Sequence, residues 1–283
     1  MATTDSPLTS GTVLASMVTI PDRGTIMAAA RAQRFDYDVV DAAARHLLSG
    51  EVASGVLSGK MASGKDTVAE HLAEYAHRPG QPTAQVHRTS DPIRSELDQA
   101  IDLIVDSPSR DAAVRALTSV MELPYAAAAH IVSVLFDATR HAHPRAGDRN
   151  NTNRALLQFL ADEGRRSVDP DYWVRRCLGR MLPVLASGAS VFLSGGRYPN
   201  EVQPAQVLGL TVIRLEVALE TQIERVRARD GHEPDPALFL DPNECALDGY
   251  FGFNIQVTND RDLGPTMAVL KDHVDQHRAY LAR

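Results

Sequence analysis

Cysteine, aromatic residues and long apolar runs are scarce in this sequence, and each scarcity excludes a class of protein. The 283 residues include two cysteines, and aromatic residues make up 5%. Two cysteines far apart in sequence exclude a disulfide framework and a cysteine-rich zinc cluster, and they fit a reducing compartment. No apolar run approaches the ~20 residues that cross a bilayer. The first residues also lack the charged and apolar parts of a secretory signal. We therefore expect a protein of the cytoplasm without a membrane partner.

The charge balance argues against a protein that binds polyanions through its overall charge. There are 29 Lys and Arg residues against 36 Asp and Glu, which gives a net charge of −7. A local basic patch remains compatible with this balance. At 44% hydrophobic residues the chain has enough apolar surface to bury a substantial core.

The first 50 residues differ from the rest and are predicted to form an N-terminal extension. Residues 1–12 are small and polar, which favours disorder, and residues 13–20 are compatible with a short strand. Apolar positions recur at helical spacing from Asp36 to Leu48, and Gly50 is a stop signal, so we expect one helix here. The predicted division is thus an extension at 1–50 and one domain at 51–283.

Strand and helix signals alternate from residue 52 onwards, which predicts an α/β fold with a parallel sheet covered by helices on both faces. A long helical stretch at 95–139 is broken near Pro108 and Pro124. The predicted strands lie at residues 52–58, 85–89, 191–194, 211–217 and 255–258, and further helices at 152–167, at 171–186 and from Leu263.

The strongest motif follows the first of these strands. Gly59, Gly64 and Lys65 satisfy G-x-x-x-x-G-K, a phosphate-binding loop between a strand and a helix. Glycine allows the tight turn and the close approach of the ligand, and the backbone N–H groups of residues 60–65 can converge on phosphate at a helix N-terminus. Lys65 adds a cation for the β- and γ-phosphates. We call residues 59–65 the P-loop, with Lys60 and Ser63 as further candidate ATP-binding residues.

The two residues after the motif depart from its usual form. Asp66 stands where Ser or Thr normally ligates magnesium, and Thr67 follows one position later. Asp66 and Thr67 are the candidate Mg²⁺ ligands, since hard cations accept carboxylate and hydroxyl oxygens. Alternatively, Asp66 is only a first-turn carboxylate that the helix dipole favours.

The sequence 63–67, SGKDT, resembles the P-loop of the deoxynucleoside monophosphate kinases of bacteriophages, and animal-type phosphomevalonate kinases have a similar loop. Further segments resemble the phage family in the same order: SDPI at 90–93, LLQ at 156–158 with GR at 164–165, DPDYWV at 169–174, GRYPNE at 196–201 and ND at 259–260. The resemblance covers about residues 52–275. It implies a three-layer P-loop NTPase fold, nucleotide-kinase-like, with a helical acceptor region and a lid.

The resemblance also implies roles for individual residues. Lys65, Asp91 and Arg197 are the candidate catalytic residues, with Asp91 the best candidate for a base. Gly195 stands where the family has an aspartate near the metal, so Asp66 or Asp91 must supply the carboxylate, or metal handling differs.

Arginines in two predicted helices are candidates for contacting the acceptor or closing over it. At roughly 100° per residue, Arg154, Gln158 and Arg165 share one helix face, which is either a phosphate clamp or a solvated surface. Arg225 and Arg229 share a face of another helix. The segment after it, residues 232–249, is polar and proline-bearing and is predicted to be a mobile lid; we call it the lid segment. The alternative for these two arginines is pairing with Glu220 and Glu224.

These observations support three hypotheses about function. The first is an ATP- and Mg²⁺-dependent phosphotransferase that phosphorylates a deoxynucleoside monophosphate. The second is a phage kinase that phosphorylates 5-hydroxymethyluracil in DNA, which the cationic stretch at 140–154 and the missing aspartate at Gly195 favour. The third is a nucleotide-binding protein without transferase activity.

Overall fold

The computed structural model describes residues 13–15, 21–141, 145–147 and 151–281, with backbone only for 13–15, 140, 141 and 151. The predicted disorder at 1–12 and most of the predicted strand at 13–20 fall outside this range. The chain forms two compact units. Met1–Arg88 with Cys177–Arg283 is the sheet unit, and Thr89–Arg176 is the helical unit. Residue 50, the predicted domain boundary, lies inside the sheet unit.

The described part of the sheet unit contains a six-stranded sheet with the order β1-β6-β5-β2-β4-β3. Five neighbouring strands are parallel, and β1 pairs antiparallel with β6 at one edge. Strands β2, β4 and β5 are buried along almost their whole length, as is typical of central parallel strands. The strands are β1 (Val13–Ala15), β2 (Ser54–Ser58), β3 (Gln85–Arg88), β4 (Val191–Gly196), β5 (Thr211–Glu216) and β6 (Ile255–Thr258).

Helices flank this sheet, and the predicted three-layer α/β class is confirmed. Leu57 points to the face where α3 and α12 bury Leu72 and Leu270. Val56 points to the opposite face, where Val202 of α9 lies beside it at Gly196. The helices of this unit are α1 (Arg23–Ala32), α2 (Tyr37–Leu48), α3 (Lys65–Ala76), α9 (Pro199–Val207), α10 (Leu219–Asp230), α11 (Pro242–Cys245) and α12 (Leu263–Leu281), with a 3₁₀ turn at Pro236–Phe239.

The N-terminal extension contains more helix than its sequence predicts. The predicted helix is α2, but α1 precedes it, beginning after Asp22, whose side chain accepts a hydrogen bond from the Thr25 N–H. Asp36 caps α2 in the same way by accepting from Val39 N–H. Both helices belong to the sheet unit.

The helical unit has its own apolar core, built around Leu97, Ile101, Leu117 and Ile131. The predicted breaks at Pro108 and Pro124 are confirmed, because separate helices lie on either side of each. The unit comprises α4 (Ser90–Val105), α5 (Arg110–Val120), α6 (Tyr125–His141) and α7 (Asn151–Phe159), which continues as a π-helix at Leu160–Arg166. The boundary to the sheet unit falls within α8 (Tyr172–Ala186). Within the described ranges, no helix combines the length and apolar character needed to span a bilayer.

Candidate functional site

The P-loop connects β2 to α3, and its two glycines are required by their surroundings. A Cβ at Gly59 would lie 2.4 Å from Ser63 Oγ and 2.9 Å from the Leu215 carbonyl oxygen. Gly64 has φ +82°, and its Cβ would lie 2.7 Å from Asn259 Nδ2. A side chain at either position would therefore force the loop or its supports to move. The loop geometry itself selects the glycines of the motif.

Side chains outside the P-loop bind its carbonyl groups. Asn259 Nδ2 donates to the Ser63 carbonyl at 2.8 Å, and Arg225 Nη1 donates to the Ala62 carbonyl at 3.1 Å. Arg225 also donates to the Asn259 carbonyl at 2.7 Å, and Thr266 holds the Asn259 side-chain oxygen. Two P-loop carbonyls are thus paired with donors from outside the loop, which holds the loop backbone in place.

Lys65 is surrounded by other charged groups. Its Nζ donates to the Lys60 carbonyl at 3.3 Å. Burial lowers the pKa of Lys65, and the neighbouring Arg197 lowers it further, while Glu244 and Asp66 counteract them. Lys65 and the neighbouring cations Arg197 and Arg214 are thus accompanied by carboxylates, Glu244 and Asp66 among them.

Two arginines reach this site from the carboxyl ends of strands next to β2. Arg197 directly follows β4, as the sequence predicted, and its Nη1 lies 2.7 Å from Glu244 Oε1. The Glu201 side chain fixes this turn by accepting from the Arg197 backbone N–H at 2.7 Å. Arg214 lies within β5, is 3% exposed, and donates from Nη1 to Ser58 Oγ at 3.2 Å.

Sequence reasoning missed Arg214. The available signal is a single arginine inside the apolar strand TVIRLE, a position where a charge is costly without partners. Its partners are Glu216, at 2.8 Å from Nε, and Asp248, at 3.4 Å from Nη2. The Arg214 guanidinium is therefore buried next to Ser58, the last residue of β2, which leads into the P-loop.

The candidate Mg²⁺ ligand Asp66 pairs with Ser194 beside the P-loop. Asp66, in the first turn of α3, accepts a hydrogen bond from the Ser194 hydroxyl at the end of β4. The next residue, Gly195, has φ +108°, which residues with a side chain rarely adopt. Thr67 is exposed. The described residues contain no group of three or more His, Cys, Asp or Glu side chains that could hold a metal by themselves.

The lid segment contacts the P-loop directly. Glu244 Oε2 accepts from the Met61 N–H at 2.6 Å, and Asp248 Oδ2 lies 2.7 Å from Lys60 Nζ. Phe239 packs in a small apolar cluster with Met61 and Val226. The segment thus lies beside the P-loop, and its role as a mobile lid stays a prediction.

The predicted lid arginines lie on α10 but have different surroundings. Arg225 supports the P-loop through the carbonyl contacts given above. Arg229 is exposed and paired with the adjacent Asp230 at 2.7 Å, not with Glu220 or Glu224. The structure therefore gives Arg225 a supporting position and leaves Arg229 at the surface.

The remaining predicted residues lie in the helical unit. Asp91 is in the first turn of α4, three residues after β3 ends. Arg154 is exposed on α7, but Arg165 is 9% exposed and does not share its surface. Arg165 Nη2 lies 2.7 Å from Glu96 Oε2 and 2.8 Å from the Met121 carbonyl oxygen.

The backbone explains why the predicted arginine face is wrong. An α-helix turns roughly 100° per residue, but residues 160–166 form a π-helix with longer i→i+5 hydrogen bonds, such as Ser167 N–H to the Asp162 carbonyl. The wider turn rotates Arg165 out of register with Arg154. Its guanidinium lies over the Tyr172 ring, 4.6 Å from the centroid.

Two further sequence features belong to the core or the surface. Trp173 is 2% exposed and donates from Nε1 to the Ala161 carbonyl at 3.0 Å, so it is a core residue of the helical unit. In the cationic stretch at 140–154, Arg145 is exposed and paired with Asp102 at 2.7 Å. Residues 142–144 and 148–150 lie outside the described residues.

No family model matches the chain. The chain is similar to an uncharacterized protein, ORF77, of Ictalurid herpesvirus 1 (strain Auburn), with 29% identity over 103 residues. The match covers 34% of this chain and 45% of the herpesvirus protein, so it spans less than half of that protein's length.

Proposed function

We propose that the protein is an ATP-dependent phosphotransferase that phosphorylates a deoxynucleoside monophosphate in the cytoplasm. The observation that carries this proposal is the P-loop, whose glycines its surroundings require and whose lysine lies among further cations, Arg197 and Arg214. The resemblance to the phage nucleotide kinases supports the choice of acceptor. Arg197 at the edge of a parallel sheet is where open α/β folds bind ligands.

Phosphoryl transfer requires little covalent chemistry from the protein. The bond between the γ-phosphorus and the bridging oxygen of ADP breaks, and a bond to an oxygen of the acceptor phosphate forms. Lys65, Arg197 and the P-loop N–H groups would hold the triphosphate and stabilise the negative charge on the transferred group. Asp91 remains the proposed base and belongs to the helical unit.

The residues beside the P-loop fit a magnesium ion. Asp66 offers a carboxylate oxygen and Ser194 a hydroxyl oxygen, and Mg²⁺ is usually bound by one or two protein oxygens, with water and phosphate completing its shell. The more common arrangement has a hydroxyl after the P-loop lysine and an aspartate on the strand. Here the carboxylate, Asp66, follows the lysine, and the strand offers the hydroxyl of Ser194, one residue before Gly195. When bound, Mg²⁺ would neutralise charge on the β- and γ-phosphates.

The proposal is tested by incubating the protein with γ-labelled ATP and each deoxynucleoside monophosphate. We expect label to appear in a diphosphate product and ADP to be released only when an acceptor is present. Lys65→Ala should lower the rate by about 100-fold or more, since it removes a charge that acts on the transferred group. Lys271→Ala is the matched control and should retain the wild-type rate. Lys271 lies on α12, with its ammonium over the ring of Tyr75 on α3.

The other hypotheses are distinct outcomes of the same assay. Label that enters only DNA containing 5-hydroxymethyluracil would favour the DNA kinase, for which exposed Arg154 offers a cation. ATP binding without any acceptor-dependent ADP release would favour a nucleotide-binding protein without transferase activity. Absence of ATP binding would refute all three.

Magnesium use is tested by equilibrium binding as well as by rate. Asp66→Asn should weaken the binding of Mn²⁺ to the protein–ATP complex about tenfold, since a carboxylate ligand becomes a neutral one. The spectroscopic signal of Mn²⁺ reports this directly. Asp260→Asn, outside the Asp66–Ser194 pair, is the control, and equal Mn²⁺ binding by both variants would remove Asp66 from the site.

A further inference from the structure

Two carboxylates of the lid segment hold cationic and N–H groups of the candidate phosphate site. Glu244 binds Met61 N–H through Oε2 at 2.6 Å and Arg197 through Oε1 at 2.7 Å. Its side chain is 3% exposed, so both interactions occur away from solvent. The Glu244 carboxylate therefore binds the Met61 N–H group and the Arg197 guanidinium at the same time.

Asp248, four residues later, repeats this pattern. Its Oδ2 lies 2.7 Å from Lys60 Nζ, and its Oδ1 lies 3.4 Å from Arg214 Nη2. Each of the two carboxylates thus bridges one P-loop residue and one arginine from a strand next to β2. Phe239, earlier in the lid segment, fixes the approach by packing on Met61.

A carboxylate and a phosphate accept hydrogen bonds from the same donors, and both are attracted to the same cations. The Met61 N–H has one hydrogen and serves one acceptor well. Phosphate oxygens that bind at Met61 N–H, Arg197 and Lys60 therefore compete with Glu244 and Asp248. A ligand shifts the position of such a segment only through this difference in interaction.

We propose that Glu244 and Asp248 are a built-in competitor for phosphate, so that nucleotide binding requires residues 242–248 to withdraw from the P-loop. This inference rests on the proposed function, because it assumes that the P-loop binds a nucleotide triphosphate. It makes the lid segment a regulator of affinity: removing either carboxylate tightens nucleotide binding.

Cys245 lies between the two carboxylates and reports their movement in the wild-type chain. Its thiol is partly buried and lies 3.6 Å from the Phe239 carbonyl oxygen, whereas the other cysteine, Cys177, is buried. We expect saturating Mg·ATP to raise the rate at which a thiol reagent labels Cys245 by about threefold or more, as expected for local opening. Cys245→Ser identifies the signal. An unchanged or slower rate would overturn the proposal.

Affinity measurements test the same proposal from the other side. Glu244→Gln and Asp248→Asn keep the side-chain size but remove the charge, and each should lower the Kd for ATP by about fivefold. Glu233→Gln is the matched control, because Glu233 lies in the lid segment but pairs with Arg227. Should Glu244→Gln fail to fold, the more exposed Asp248→Asn decides alone. Unchanged or weaker binding contradicts the competition.

The two proposals fail in different ways. If neither the wild type nor the charge-neutralised variants bind ATP in a direct titration, the proposed function is wrong and the competitor proposal falls with it. If the wild type binds ATP while Cys245 labelling and the Kd values of both variants stay at control levels, only the competitor proposal is wrong. If the variants bind ATP and the wild type binds about fivefold more weakly, the competitor proposal is supported, and the labelled-ATP assay decides whether phosphoryl transfer follows.

Discussion

Gly64 and Gly80 have almost the same backbone conformation but different neighbours. Their φ angles are +82° and +84°, yet a Cβ at Gly64 meets Asn259 Nδ2 at 2.7 Å and a Cβ at Gly80 meets nothing within 4 Å. Both Gly→Ala variants should lose about 1–2 kcal/mol from the left-handed conformation. Gly64→Ala should lose measurably more stability and also weaken ATP binding.

Urea unfolding of Gly64→Ala and Gly80→Ala measures the loss of unfolding free energy in each variant. Both variants carry the cost of the left-handed conformation, so the difference between the two losses is the cost of displacing Asn259. Equal losses of unfolding free energy would show that Asn259 moves aside freely. Gly80→Ala should bind ATP as the wild type does.

The lowered pKa of Lys65 predicts a pH dependence of nucleotide binding. Phosphate binds the charged lysine best, so binding raises this pKa and takes up a proton. ATP affinity should therefore fall as pH rises through the pKa of Lys65 in the free protein, which burial places below its usual value. In Lys65→Arg the cation keeps its charge, and the decline should disappear.

Calorimetric titrations between about pH 7 and pH 10, in buffers of different ionisation enthalpy, measure both the affinity and the proton uptake. An identical decline in the wild type and in Lys65→Arg would assign it to another group.

At the residue scale, the local spacing in the sequence was enough to predict the P-loop residues but not the charged residues around them. Gly59, Gly64 and Lys65 follow from the motif, since the loop is built from consecutive residues. Arg214 and Glu244 come from β5 and α11 and become neighbours of Lys65 only through the fold. No periodicity in the sequence connects them.

At the scale of single elements, the π-helix after α7 determines where Arg165 lies. Glu96 binds Arg165 inside the helical unit and also accepts hydrogen bonds from Tyr172 and Arg176. Arg165→Met should cost about 3 kcal/mol, the low end for breaking a buried ion pair, because Glu96 keeps its other two partners. Arg154→Met, on the exposed part of the same helix, should change stability by less than about 0.5 kcal/mol.

Urea denaturation of the two arginine variants provides the measurement. Similar small losses would mean that Arg165 contributes no more than a surface residue. At unchanged stability, an acceptor-binding role would instead appear as a raised acceptor KM and a catalytic role as a lowered kcat.

The extents of most elements follow from apolar periodicity and from proline and glycine positions. The helix predicted at 152–167 illustrates the limit, because its apolar pattern is compatible with either helical form and only the backbone shows the change to a π-helix. Helix α1 was missed since its alanine-rich sequence carries a weak apolar pattern.

At the scale of the whole molecule, the position of the single tryptophan allows the two units to be followed separately. Trp173 is buried within the helical unit, whose core comes from its own residues. Because each unit has a core, we expect the urea transition monitored by Trp173 fluorescence to differ in midpoint from that monitored by circular dichroism. ATP at about 100 times its Kd should stabilise the unit that binds it, which we propose is the sheet unit, by about 2.7 kcal/mol.

Coincident transitions at every ATP concentration would show that the two units unfold as one. We expect the fluorescence and circular dichroism transitions to have different midpoints, and we expect ATP to shift only the circular dichroism midpoint.

The α/β class and the parallel sheet could be predicted from the alternation of elements, because short connections and buried strands leave few alternatives. The division into units could not. The helical unit begins directly after β3 and ends within α8, and the sequence at residues 88 and 176 contains no composition change that marks its ends. Strand β1 joins the sheet edge through backbone pairing with β6, which side-chain patterns do not encode.

The φ of +108° at Gly195 also restricts how this protein can change over time. A single codon change to aspartate would place a side chain on a backbone that disfavours one, so the mutant would be penalised before the new carboxylate gave any benefit. An aspartate at position 195 is therefore expected to be accepted only together with a change in the turn that brings this φ into the range of residues with a side chain.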